Sequence, residues 1–94
     1  MDIKNKIIVV TGAGAGIGKA LAICFAKQGA KRVICSDIDA FKSKETADLI
    51  DGVSIEADVS KEADLINLIA QSEAEIGSID LFCSNAGILH QAGL

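Results

Sequence analysis

The 94-residue sequence contains no proline, no tryptophan and no tyrosine, and a single histidine, His90. Without tyrosine, no chemical step that needs a phenol can be carried by these residues. His90 has no cysteine or histidine partner at ligand spacing, so no metal site is expected. The three cysteines, Cys24, Cys35 and Cys83, are odd in number, form no Cys-x-x-Cys pair and each sit in an apolar stretch. They predict reduced, buried small side chains, not a disulfide framework. Aromatic residues are limited to Phe25, Phe41 and Phe82, and 9 basic against 13 acidic residues give a net charge of −4 without any cationic run. That pattern excludes nucleic-acid binding through backbone phosphates. Apolar runs such as residues 7–10 fall far short of the ~20 residues of a membrane span. The N-terminus lacks the long apolar stretch of a signal peptide, which gives a cytoplasmic expectation and no membrane partner.

Half of the residues are hydrophobic, enough to build a core, and short apolar runs alternate with helical periods. Residues 6–11 read as a buried strand, rich in β-branched side chains and followed at once by glycines. Residues 17–28 read as a helix with Ile17, Ala20, Leu21, Cys24 and Phe25 on its inward face, closed by Gly29. A second strand over 32–36 leads to a helix over 41–51 with Asp39 as N-cap. Gly52 turns the chain into a third strand over 53–57. Ser60 is the expected N-cap of a helix over 61–76, whose Glu62 and Asp64 suit the positive dipole end. Its expected inward face is Leu65, Leu68, Ile69, Ser72 and Ile76, and Gly77 closes it. A fourth strand covers 80–84. This β-α-β-α-β-α-β order predicts an α/β, Rossmann-like, doubly wound parallel sheet in the order 3-2-1-4, with helices on both faces. Residues 1–94 are expected to be one partial domain with an irregular tail over 88–94. Ligands of such sheets bind at the carboxyl ends of the strands, here beside the first strand.

The loop at that place reads Thr11-Gly12-Ala13-Gly14-Ala15-Gly16-Ile17-Gly18. A nucleoside-triphosphate P-loop is excluded, because Ala13 and Ala20 stand where glycine and a magnesium-binding hydroxyl are needed. The G-x-G-x-x-G spacing also fails, meeting Ile17 or Lys19. Gly12, Gly16 and Gly18 fit G-x-x-x-G-x-G. Gly12 allows the tight turn, Gly16 lets a pyrophosphate approach the backbone, and Gly18 lets the helix pack closely on the sheet. The helix N-terminus offers free N–H groups to the anion.

Thr11-Gly12-x-x-x-Gly16-Ile17-Gly18, then Asp58-Val59, then Asn85-Ala86-Gly87, resembles the short-chain dehydrogenase/reductase family. The resemblance implies a nicotinamide dinucleotide cofactor and an alcohol or carbonyl substrate. Asp37 follows the second strand, where a carboxylate accepts hydrogen bonds from the adenosine ribose and repels a 2′-phosphate. Ala15 and Ile38 stand where NADP-preferring relatives tend to carry a base, so NAD is expected in preference to NADP. By the same resemblance, Asp58 bonds the adenine amino group, Val59 and Ile38 pack on the ring, and Asn85, Ala86 and Gly87 set backbone against the cofactor. The family's serine and Tyr-x-x-x-Lys pair come later than Asn85-Ala86-Gly87. The 94 residues are therefore expected to be the N-terminal cofactor-binding part of an oxidoreductase, inactive alone, with a homo-oligomer plausible for the full-length enzyme. A stand-alone, non-catalytic nucleotide-binding or interaction module is the alternative, and another Rossmann-like enzyme such as an S-adenosylmethionine-dependent methyltransferase the third reading.

Overall fold

The computed structural model describes residues 2–85. Its elements run β1 (Ile7–Thr11), α1 (Gly16–Lys27), β2 (Arg32–Asp37), α2 (Ala40–Ile50), β3 (Val53–Glu56), α3 (Glu62–Glu75) and β4 (Leu81–Cys83). The tail over 88–94, Ala86 and Gly87 lie outside the described residues.

β1 is central because its five residues are all buried, so each pleat face needs its own cover. Ile8 and Val10 join Val33, Cys35, Ala22 and Ala47 on the face covered by α1 and α2. Ile7 and Val9 join Ile34, Ile55 and Leu68 on the face covered by α3. The sheet order is β3-β2-β1-β4, all pairs being parallel, with Val9 opposite Ile34 on one side and Phe82 on the other. The fold is the expected Rossmann-like one, with helices on both faces. Asp80 anchors the β4 side: its N–H donates to the Ile7 carbonyl at 2.8 Å, and its Oδ2 accepts from the Ile7 N–H at 2.9 Å.

Three local expectations need correction. The inward face of α1 is Gly18 and Ala22, with Leu21 and Phe25 packed beside them. Ile17, Ala20 and Cys24 are exposed. The helix is turned so that its smallest residue meets the loop, since a Cβ on Gly18 would lie 2.6 Å from the Gly12 carbonyl carbon. Ser60 is not the α3 N-cap. Lys61 holds that position without a side-chain bond, while the Ser60 hydroxyl donates to Asp58 Oδ1 at 2.6 Å and Asp64 Oδ2 accepts from the Asp58 N–H at 2.9 Å. On α3, Leu68 and Ser72 are buried, but Ile69 sits at the rim, 37% exposed.

Asp39 caps α2 as expected, accepting from the Lys42 N–H at 3.2 Å. The left-handed turn after α2 is taken by Asp51. Gly52 is needed there for space, because a Cβ would stand 2.6 Å from the Val33 carbonyl oxygen. No helix among the described residues is long and apolar enough to cross a membrane.

Candidate functional site

The carboxyl ends of β1, β2 and β4 bring together the glycine loop, Asp37 and Asn85. Gly12 leaves β1 with φ +64°, a left-handed conformation that side chains disfavour. The Ala13 N–H then donates to the Ser36 carbonyl at 2.9 Å, which ties the loop to β2. One residue on, the Gly14 N–H donates to Asp37 Oδ2 at 2.8 Å. Asp37 Oδ1 accepts from the Asp39 N–H at 3.0 Å. The carboxylate is thus fixed from both sides at the last position of β2, half-buried. An ionised carboxylate has about four acceptor positions, so a ligand can still be received on each oxygen.

Gly16 opens α1 with φ +56°, and nothing lies within 4 Å of where its Cβ would be. Ala15 caps the helix without a side-chain bond, and the first turn contains no acid. Ala15, Gly16 and Ile17 are exposed. An uncapped first turn leaves N–H donors and the positive dipole end facing that open space. Loop and helix together can receive an anion close to main chain.

Just past β4 the Asn85 N–H donates to Thr11 Oγ1 at 2.9 Å, and that hydroxyl lies 3.4 Å from the Cys83 carbonyl it donates to. The Asn85 amide nitrogen would be 3.0 Å from a Cβ on Gly18, so β4 reaches the same corner. Asp58 and Val59 follow β3. The Ser60 hydroxyl and N–H, and then the Lys61 charge, hold the Asp58 carboxyl below its ordinary value against slight desolvation. Val59 packs against the α3-side core. Ile38 is 66% exposed at the end of β2.

Cys24 departs from the expected burial: it is exposed on the outer face of α1, whereas Cys35 is buried and Cys83 partly so. Burial pushes the Cys35 thiol up to about 12 and raises that of Cys83. All three are free.

Sequence reasoning gave Gly14, Thr11 and Lys42 no place in the site. A Cβ on Gly14 would stand 2.7 Å from Lys42 Cβ and 2.8 Å from Asp37 Oδ2. Glycine is required there by a carboxylate from another strand, which no loop template contains. Thr11 was visible as the end of an apolar strand, but its hydroxyl's partners come from β4.

The arrangement has known counterparts. An uncharacterized oxidoreductase of Thermotoga maritima is 40% identical over 94 residues, covering 95% of this chain and 36% of that protein. Among solved structures, hydroxysteroid dehydrogenase from Escherichia coli superposes with a TM-score of 0.80 at 34% identity, over 87% of this chain and 37% of that one. A structure described as ribose-5-phosphate isomerase from Brucella melitensis 16M gives 0.83 at 31% identity, over 88% and 32%. A fold shared under such different names does not fix a reaction. The chain spans about a third of the length of the curated relatives it matches, 36% for the Thermotoga protein. The short chain dehydrogenase model matches residues 6–94, and with the glycine corner built as described, the chain belongs to the short chain dehydrogenase family.

Proposed function

We propose that these residues form the cofactor-holding part of an NAD-dependent oxidoreductase acting on an alcohol or carbonyl compound. A bound nicotinamide dinucleotide supplies the hydride acceptor or donor of such a reaction. The residues present fit it. Gly12, Ala15, Gly16 and Ile17 offer main chain and the α1 N-terminus to the pyrophosphate, and the buried Gly18 seats α1 close enough on the loop to present them. Asp37 receives the ribose hydroxyls, Ile38, Asp58 and Val59 surround the adenine, and Asn85 borders the far side; Ala86 and Gly87 keep the cofactor role that the family resemblance implies. The 94 residues hold no tyrosine, so a phenolic acid/base is not theirs to supply, and they are inactive alone. Cytosolic location and a homo-oligomeric full-length enzyme belong to the same reading. The non-catalytic module is not favoured, since the family and the Thermotoga relative are oxidoreductases.

The observation that carries the choice of NAD is the Asp37 carboxylate, clamped by Gly14 and Asp39. Held there, it repels a 2′-phosphate and rewards a 2′-hydroxyl. Charge-assisted hydrogen bonds are worth about 1.5–3 kcal/mol, or roughly ten- to a hundred-fold in affinity. Asp37→Ala, in the protein expressed from its gene, should weaken NADH binding on that scale and improve NADPH relative to it. An unchanged NADH/NADPH ratio removes Asp37 from the site.

A further inference from the structure

Lys42 is the third residue of α2. A positive charge there faces the positive end of the helix dipole, where cations are disfavoured. Its main chain is accounted for by the Asp39 cap. Its side chain starts beside the glycine loop, with Lys42 Cβ and Asp37 Oδ2 lying 2.7 and 2.8 Å from one point, the missing Cβ of Gly14. The flexible stem of lysine can carry its ammonium to whatever Asp37 binds. Lys42 is exposed, and the ion pair found among the described residues is Lys44 with Asp48, so Lys42 is not spent on an internal partner.

We propose that Lys42 is a specificity-determining residue of this corner: its ammonium takes the 2′-phosphate of NADP and offsets the repulsion from Asp37. This rests on the placement of the adenosine ribose at Asp37. The site is then a balanced one, in which the carboxylate favours NAD and the lysine keeps NADP within reach. Gly14 makes the balance possible, because any side chain there would drive the two groups apart. An exposed contact of this kind also weakens with salt, so NADPH binding should fall with ionic strength faster than NADH binding.

The test is equilibrium titration of the protein expressed from its gene with NADH and NADPH, read by nicotinamide fluorescence. Competition by 5′-ADP and 2′,5′-ADP isolates the adenosine end. Lys42→Ala should lower affinity for NADPH and 2′,5′-ADP by about five- to ten-fold. NADH and 5′-ADP should change less than about two-fold, and Lys42→Arg should retain both. Equal losses for the two cofactors, or no loss for either, overturn the proposal. Asp37→Ala in the same assay separates the two readings. If it shifts the NADH/NADPH ratio while Lys42→Ala does not, the role of Lys42 fails alone. If Asp37→Ala leaves the ratio unmoved, the ribose placement fails and the role of Lys42 with it.

Discussion

Gly18→Ala sets two effects of opposite sign against each other. Residue 18 lies inside α1, where alanine is favoured over glycine by about 1 kcal/mol. Helix propensity alone therefore predicts a more stable protein. Packing predicts the reverse: the new methyl would stand 2.6 Å from the Gly12 carbonyl carbon and 3.0 Å from the Asn85 amide nitrogen. Gly12 cannot give way cheaply. It is main chain, it is already in a left-handed turn, and the next residue is bonded to Ser36. Overpacking of this kind costs about 1–3 kcal/mol, and a main-chain neighbour puts it in the upper part of that range. The net loss is about 1–2 kcal/mol after the helix gain is subtracted. At this size it corresponds to a fall in Tm of roughly 5–15 °C. Urea and thermal denaturation of wild type and variant, read by circular dichroism, give the number. NADH affinity should fall too, because α1 carries the N–H groups that face the anion. A variant stabilised by about 1 kcal/mol would refute the close contact of α1 with the loop.

Gly16→Val should behave differently: with open space around it, the cost to folding is confined to about 1–2 kcal/mol of left-handed strain, while dinucleotide binding is abolished, and wild-type affinity in the variant would sink the phosphate-cradle assignment. Ser60→Ala should raise the Asp58 carboxyl toward its ordinary value, as followed by carboxyl carbon NMR. Because folding depresses that group, its contribution is present above the ordinary value and is lost as pH falls through the depressed one, so Ser60→Ala should narrow the acid side of the stability profile; an unmoved titration would remove Ser60 as the cause. A maleimide should label Cys24 in the native protein and Cys35 only on unfolding, with mass spectrometry of peptides as the readout; native labelling of Cys35 would contradict its burial.

Strand order and the placing of helices were legible because each rests on patterns carried by side chains: β-branched runs at 7–11 and 53–56, the Asp39 cap, and glycines after α1 and α3. The α1 face was not legible, for a related reason. Periodicity counts apolar side chains, and the residue that orients α1 is a glycine that contributes none. Ile17, Ala20 and Cys24 gave a tidy stripe that closer packing at Gly18 and Ala22 overrides. Ser60 was misread because one hydroxyl can serve a helix end or a preceding carboxylate, and Asp58, two residues away, wins it. At the site, the residues of the loop could be named from their spacing. The clamp on Asp37 could not, since Gly14 and Asp37 meet only when β1 and β2 pair Thr11 with Ser36.

The place of β1 between β2 and β4 has a consequence for synthesis. β1 leaves the ribosome first, and β2 can pair with it after one helix, but its other neighbour is Leu81–Cys83. At about 5–20 residues per second, that neighbour arrives on the order of ten seconds later. Through that interval the strand Ile7–Thr11 keeps one row of amide and carbonyl groups without a partner, on a segment apolar on both faces. Nascent chains on neighbouring ribosomes carry the same open edge, which can template pairing between them. Slowing translation between Thr11 and Leu81 should therefore lower the soluble yield more than an equal delay placed before Ile7 does, because only the first delay lengthens the life of that edge.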